Sequence, residues 1–193
     1  MQKALNYRTL SEADFAQIVT LALQVHGDGY VDIPTLHDWL ARGISHGSNA
    51  GFVVYDQQKL VGFRITFAPK QWLIDNWCSP HLWGIATEKI CYFKCNTVNA
   101  NYRGLGIGGK LLQLSVQAAK KQGAQAGVAH LWRQSPSNSA VKYFSKCGGR
   151  LIKSHPDKWH EDSLHDYACT LCGHNCHCDA EEMLLDFNHT GFK

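Results

Sequence analysis

The chain has 193 residues, a net charge of +3 and 45% hydrophobic residues, enough to bury one core, so a single domain over 1–193 is expected. No apolar run approaches the roughly 18 residues of a membrane span, so a membrane protein is not expected. Residues 1–10 lack the pattern of a signal peptide, and eight Cys in that context indicate a cytoplasmic protein with reduced or metal-bound thiols.

Apolar periodicity and capping residues predict a mixed α/β chain. In chain order the predicted elements are strand 5–9, helices 11–25 and 32–42, strands 51–55, 60–67 and 89–98, helix 109–122, strand 128–132, helix 138–146, and last strands around 151–153, 166–171 and 183–187. Residues 68–87 form a long loop with three of the six Trp. This Trp-rich loop is expected to be either a wall for a cationic amine or an apolar flap or dimer contact.

The charges are unevenly distributed along these elements. Positions 89–156 hold 11 Lys and Arg and no Asp or Glu, which leaves 8 basic and all 16 acidic residues for the rest of the chain. A basic segment of this kind indicates an anionic partner that is held at one place.

A glycine-rich turn, residues 103–110, joins strand 89–98 to helix 109–122. Strand, glycine turn and helix together aim free backbone N–H groups and the helix dipole at a phosphate. Two interpretations fail at the residue that would carry the chemistry. A dinucleotide fingerprint requires an acidic residue about 20 positions on, and there is none; a nucleotide P-loop requires Ser or Thr where Leu111 stands.

A third interpretation fits both this turn and a later motif. Residues 98–108 resemble the acyl-CoA-binding motif of the GNAT N-acetyltransferases, with Arg103, Gly106 and Gly108 at its defining positions. Residues 138–148 resemble the next motif of that family, Asn-x-x-Ala followed by an aromatic pair and Gly. The resemblance implies the mixed-sheet α/β acyltransferase fold, in the order β-α-α-β-β-β-α-β-α-β-β. It also implies transfer of acetyl from acetyl-CoA to a primary amine by direct attack.

The resemblance also implies a cofactor site. The backbone of Asn96, Thr97 and Val98 would pair with the pantetheine arm, and Asn138 would meet the arm from the far side. The N–H groups that would hold the pyrophosphate belong to Arg103, Gly104, Leu105, Gly106, Ile107, Gly108, Gly109 and Lys110.

The expected catalytic groups depart from the family pattern. The family often has a Tyr that protonates the departing thiolate, but this chain has Phe144 at that position. The neighbouring Tyr143 carries a hydroxyl, but its side chain lies about 100° around the helix. Half-buried packing is therefore the favoured interpretation of Tyr143. Candidates for the general base are Glu88, acting through a water, and His130, for which a hydrogen-bonded core residue is the alternative. An acceptor amine that is already neutral requires no strong base.

Four Cys crowd the expected C-terminal hairpin, residues 166–187. Cys169 and Cys172 resemble a zinc knuckle, and Cys176 and Cys178 would complete a closed Cys₄ site. His174 or His177 is an alternative ligand, and a metal-free hairpin of reduced thiols is the alternative structure.

The expected partner is therefore a small-molecule or peptide amine, with acetyl-CoA as cosubstrate, zinc as a candidate ion and a homodimer as one assembly common in the family. Two other functions remain open, a catalytically silent acyl-CoA sensor and a zinc-containing nucleic-acid-binding module. A nucleic-acid partner is disfavoured because the basic residues are interleaved with core positions and the pI is only about 8.4.

Overall fold

The computed structural model describes residues 4–192. Its first half comprises β1 (Leu5–Thr9), α1 (Phe15–His26), α2 (Ile33–Gly43), β2 (Ile44–Ser45), β3 (Ser48–Asn49), β4 (Phe52–Asp56) and β5 (Lys59–Phe67). Its second half comprises β6 (Ile90–Val98), α3 (Ile107–Lys121), β7 (Ala126–Trp132), α4 (Ser139–Lys146), β8 (Arg150–His155), α5 (His160–Ser163) and β9 (Ala180–Asp186).

Seven of the strands form one sheet in the order β1-β4-β5-β6-β7-β9-β8, while β2 and β3 pair separately. Strands β6 and β7 run parallel, and all other neighbours in the sheet run antiparallel. Apart from the short β2–β3 pair, α5 and the strand expected at 166–171, the elements follow the predicted order, which confirms that order.

The first two helices begin where the sequence predicts. A capping box at Ser11 opens the turn before α1, and its partner Asp14 is buried between the Arg8 guanidinium and the Tyr55 hydroxyl. The Asp32 carboxylate accepts a 2.8 Å hydrogen bond from the Thr35 amide at the start of α2. These caps fix both helices on one side of the sheet.

The apolar core has two main parts. Side chains of α1 and α2 pack with β4 and β5 around Ile18, Leu36 and Phe63. Side chains of α3 and α4 pack with β6, β7 and β9 around Leu112, Phe144 and Met183. The sheet thus lies between two pairs of helices, α1 with α2 and α3 with α4. The connections that follow β6 and β7 begin where these two strands separate.

The strand expected at 166–171 is wrong. That segment forms turns, and its one bridge joins Cys169 to the nearby Gly173. A strand would require hydrogen bonds to a neighbouring strand along its length, and this local bridge takes their place. The four Cys therefore lie in a long Cys-rich connection, residues 156–179, between the paired strands β8 and β9. None of the helices within 4–192 is long and apolar enough to cross a membrane.

Candidate active site

A cleft of about 1240 Å³ opens where β6 and β7 separate. The two strands pair only through Ile90, Cys91 and Tyr92, whose partners are Ala126, Gly127 and Val128. Beyond these pairs β6 runs on to the glycine turn, and its backbone edge faces the gap instead of a neighbouring strand. An extended ligand can add to such an edge as an extra strand does.

A bulge in β6 lies at the point of separation. Ile65 of β5 pairs with Cys95 and Phe67 pairs with Tyr92, so β6 carries one extra residue there. Around the bulge, Lys94 lies over the Trp39 ring at 4.9 Å and Cys95 packs into the core beside α1 and α2. The bulge re-aims the side chains and ends the pairing with β7.

The glycine turn has the geometry expected of an anion site. Gly104 and Gly106 have φ of +78° and +76°, a left-handed conformation that favours glycine, and Gly106 is the residue before α3. Open space surrounds both positions. Gly108 is packed instead, because a Cβ there would lie 2.9 Å from Nδ2 of Asn96.

Most of the predicted cofactor residues meet in the cleft. Its lining includes Asn96, Val98, Arg103, Gly104, Gly106, Ile107, Gly108, Gly109 and Lys110. Two predicted residues, Thr97 and Leu105, do not line the cleft. Thr97 of β6 is buried, with its hydroxyl 2.7 Å from Nε2 of His26, and Leu105 is exposed. Asn138 is adjacent to lining residues, and its buried Oδ1, like that of Asn96, has no hydrogen-bond partner within the described chain.

Tyr143 is half-buried against the core, as the packing interpretation expects, and it also lines the cleft. Phe144 of the same aromatic pair is fully buried in the core. The Tyr143 oxygen accepts a 3.0 Å hydrogen bond from Nη1 of Arg64, which leaves its own proton free to donate. The Arg64 guanidinium is 1% exposed, lies 4.4 Å from the Phe93 ring centroid and has an unpartnered Nε.

His130 also lines the cleft, but both ring nitrogens are engaged. Nε2 lies 2.6 Å from the Trp77 carbonyl oxygen, which can only accept, so Nε2 carries the proton and Nδ1 accepts from the Tyr92 hydroxyl at 3.0 Å. Burial, with a smaller contribution from Lys158, lowers the pKa of His130 to about 4. Its surroundings are those of a neutral, hydrogen-bonded residue.

Glu88 lies away from the cleft. It is exposed in the turn before β6 and lines a separate depression of about 140 Å³ together with Lys70 and Trp72. Glu88 precedes the paired part of β6, whereas the gap follows it.

A buried network holds the Trp-rich loop against the sheet, as the apolar-flap alternative expects, and within the described chain no residue of 68–87 lines the cleft. Glu182 is fully buried; one carboxylate oxygen accepts from the Ser79 amide at 2.8 Å and from the Trp83 indole at 2.7 Å, and the other lies 3.0 Å from Nε2 of His155. Burial opposes ionisation, but hydrogen bonds from His155, Ser79 and Trp83 hold the pKa of Glu182 below its usual value.

Two cations face the far end of the cleft, beside the aromatic side chains. Burial lowers the pKa of Lys94 and of Lys158, whose ammonium lies 5.2 Å from the Trp77 ring centroid. Within residues 4–192 neither ammonium forms an ion pair at 4 Å or less. Both lysines still feel the carboxylates of Asp75 and Asp162, and Asp162 lines the same cleft.

The four predicted metal ligands converge in the Cys-rich connection. The sulfurs of Cys169, Cys172, Cys176 and Cys178 all lie within 4.8 Å of one another. The alternative His ligands do not join them: His177 is exposed and pairs with Asp157 at 2.8 Å, and His174 lies outside the cluster.

Sequence reasoning missed the polar groups Arg64, Tyr92, Lys94, Lys158 and Glu182. Three of them carried a signal, since Arg64, Lys94 and Glu182 are charged residues inside strands that otherwise read as apolar. A charge in a buried strand requires a partner or a function. Lys158 and Tyr92 carried none, because their role depends on the loop packing.

The splayed sheet, with a glycine turn after its diverging strand, defines an acyltransferase fold. Residues 14–149 match the model of the acetyltransferase (GNAT) family, and the chain belongs to that family. The family is one of acetyltransferases, as the sequence predicts. No curated protein sequence matches the chain.

Solved structures with the same fold share little sequence with this chain. Ard1 from Thermoplasma volcanium superposes with a TM-score of 0.67 at 14% identity, over 95% of this chain and 97% of that one. The yncA protein from Salmonella typhimurium, solved with its cofactor acetyl-CoA, gives 0.66 at 17% identity, over 95% and 94%. Naa50 from Arabidopsis thaliana, bound to the bisubstrate analogue CoA-Ac-MVNAL, gives 0.63 at 17%, over 95% and 99%.

Proposed function

We propose that the cleft binds acetyl-CoA, with the pyrophosphate on the glycine turn and the pantetheine arm along Asn96, Thr97 and Val98. The observation that carries this proposal is the separation of β6 from β7 directly before two left-handed glycines and the N-terminus of α3. The free edge of β6 is followed along the chain by an anion site at the glycine turn. This order matches acetyl-CoA, in which an extended pantetheine arm is attached to a pyrophosphate.

We further propose direct transfer to a primary amine. The amine nitrogen bonds to the thioester carbonyl carbon, the carbon–sulfur bond breaks and the new amide nitrogen releases one proton to water. Tyr143 gives its proton to the departing thiolate and regains one from solvent. His130 is neutral with both nitrogens engaged, and Glu88 lies outside the cleft, so the amine gives up its proton to water before it attacks. The rate then rises with pH as the acceptor ammonium deprotonates.

The charges at the far end of the cleft support an acceptor that carries an anionic group. Lys94 and Lys158 are desolvated and, within the described chain, have Asp75 and Asp162 nearby but no ion pair at 4 Å or less; a carboxylate or phosphate there would add a direct partner. Tyr30 and Tyr167 add apolar walls. Amino acids and acidic peptides fit this chemistry better than polyamines, which would place more positive charge beside the two lysines.

The experiment that tests both proposals incubates the chain with acetyl-CoA and separate amines, and follows each acetylated product by mass spectrometry. The amines are an acidic amino acid, a neutral amino-acid amide, a polyamine and an acidic peptide. Preferential acetylation of the carboxylated amines supports the acceptor class, and a preference for the polyamine overturns it. Absence of any product with all four would count against transfer. A cytoplasmic location, a homodimer and a single domain stay predictions.

A further inference from the structure

The Cys-rich connection brings four thiols to one point without the support of regular strands. Cys169, Cys176 and Cys178 are at most 5% exposed, and Cys172 closes the cluster from the solvent side. Every pair of sulfurs lies within 4.8 Å, and the Cys172 and Cys178 sulfurs are 3.6 Å apart. All eight Cys of the chain are free thiols in this structure.

These distances suit a tetrahedral ion. With a Zn–S bond of about 2.3 Å, the sulfurs of a Cys₄ site lie about 3.8 Å apart, whereas a disulfide requires about 2.05 Å. The measured 3.6 Å between Cys172 and Cys178 is close to the tetrahedral spacing. The cluster thus matches a metal site more closely than two disulfides.

Hydrogen-bond donors surround the sulfurs. The turn after Cys169 carries the backbone N–H groups of Leu171 and Cys172, and the Trp132 indole packs against the cluster, so both can donate to the sulfurs. Such donors orient thiolate ligands and stabilise their charge around an ion. Four neutral thiols that packed as small apolar groups would require no donors of this kind.

This part of the chain has little regular structure of its own and is held by single hydrogen bonds to its neighbours, such as those of Cys176 with Ser163 and of Asp179 with Gln134. The segment from 164 to 179 has no helix or strand, and the only backbone pair within it joins Cys169 and Gly173 in both directions. Its apolar support is limited to Trp132, Trp159 and Tyr167. A segment with so small a core requires a further cross-link to be ordered.

We propose that Cys169, Cys172, Cys176 and Cys178 bind one zinc ion in a closed, structural site. Four protein thiolates leave no open position on the ion, so it takes no part in acetyl transfer. Cys169, Cys176 and Cys178 line the same cleft, but none of the four ligands lies on the glycine turn or on β6, so the site does not rest on the cofactor proposal.

The ion would shape one wall of the cleft. Next to the cluster, the Tyr167 hydroxyl donates to the His26 carbonyl at 3.1 Å and the Ala168 amide donates to the Asp28 carbonyl at 3.0 Å. The contact is so close that a Cβ at Gly27 would lie 1.9 Å from the Ala168 oxygen. Zinc thus ties the Cys-rich connection to the end of α1, on the acceptor side of the cleft.

The test uses the full chain, expressed in zinc-supplemented medium and purified with a reductant and without chelator. We expect about one zinc per chain by elemental mass spectrometry. Exchange with Co²⁺ should produce the intense sulfur-to-cobalt charge-transfer band and the visible bands of a tetrahedral thiolate site. Cys172→Ser should abolish stoichiometric zinc and weaken the cobalt band, and its exposed position keeps the variant foldable.

Cys78→Ser, at a thiol in the Trp-rich loop away from the cluster, is the matched control and should retain the zinc. Zinc-free wild-type protein whose four thiols stay reduced, with no cobalt band, would overturn the proposal. An intact mass that shows disulfides in the cluster would also overturn it. Because these readouts do not involve acetyl-CoA, a failure here is distinguishable from a failure of the proposed transferase activity.

Discussion

Removal of one oxygen atom, in Tyr143→Phe, separates catalysis from binding in this cleft. The Tyr143 hydroxyl is the proposed proton donor, and it accepts a 3.0 Å hydrogen bond from the buried Arg64. Loss of a general acid costs about 10²–10⁴-fold in turnover. We expect the low end, about 100-fold in kcat, because a thiolate is a good leaving group, and we expect the KM for acetyl-CoA to change by no more than about twofold.

The same substitution affects stability through Arg64. Its Nε already lacks a partner, and Tyr143→Phe removes the acceptor of Nη1 as well. An unsatisfied donor on a buried charged group costs about 1.5–3 kcal/mol, so the midpoint of urea unfolding should fall while the protein remains folded at 25 °C.

The assay is initial-rate acetylation of the best amine from the product screen, measured beside urea unfolding of the same preparation. Tyr7→Phe, on β1 and outside the cleft, is the control and should change neither. A Tyr143→Phe enzyme that turns over at the wild-type rate would refute the proton-donor role. If Tyr143→Phe lowers the stability but not the rate, Tyr143 is a packing residue, which is one of the two interpretations of the sequence.

Three further predictions concern other parts of the site. Gly108→Val should weaken acetyl-CoA binding at least about tenfold, because a Cβ there meets Asn96 at 2.9 Å; calorimetry measures this. Glu182→Ala should lower the free energy of unfolding by about 3–5 kcal/mol at pH 7, because it leaves buried donors of Ser79, Trp83 and His155 unpaired; urea unfolding measures this. Chelation of zinc should lower Tm by several degrees in thermal unfolding and leave the affinity for acetyl-CoA unchanged.

The Glu182 prediction also has a pH dependence. Hydrogen bonds keep the pKa of this carboxyl in the folded state below its unfolded value of about 4.3. Its contribution is therefore fully present above the unfolded pKa and is lost as the pH falls through the folded pKa. The exposed Glu161→Ala is the control, and equal stability losses in the two variants would contradict the role of the network.

Zinc removal has its own control in Cys172→Ser, which should already show the lower Tm and should not respond to chelator. For Gly108→Val, the comparison is Gly109→Val, since a Cβ at Gly109 meets only the Cys147 sulfur, at 3.8 Å. Equal losses of affinity at both glycines would show that crowding against Asn96 is not the cause.

Local chemistry predicted most of the fold. The capping box at Ser11, the Asp32 cap and the glycine turn each fix an element through contacts within a few residues, so sequence spacing was sufficient. The prediction of a strand at 166–171 was wrong because Tyr167 and Cys169 pack in the sulfur cluster instead of in the sheet. A short apolar run in the sequence does not distinguish a strand from such a packed turn.

The cofactor side of the site was predictable for the same reason, since one segment from Asn96 to Lys110 provides it. The catalytic side depends on contacts between distant segments. Only the tertiary structure shows that His130 is held by Trp77, that Tyr143 meets Arg64, or that Glu88 lies before the gap. The sequence favoured packing for Tyr143, left a hydrogen-bonded core position as the alternative for His130, and required a water between Glu88 and the amine.

The central claim is that the glycine turn holds acetyl-CoA, and calorimetric titration with acetyl-CoA tests it most directly. Gly106→Val and Gly123→Val make a matched pair, because both positions have a positive φ, +76° and +87°, and open space, at opposite ends of α3. We predict micromolar binding by the wild type and by Gly123→Val, and loss of binding in Gly106→Val. Absence of binding by the wild type, or equal binding by both variants, would contradict the claim.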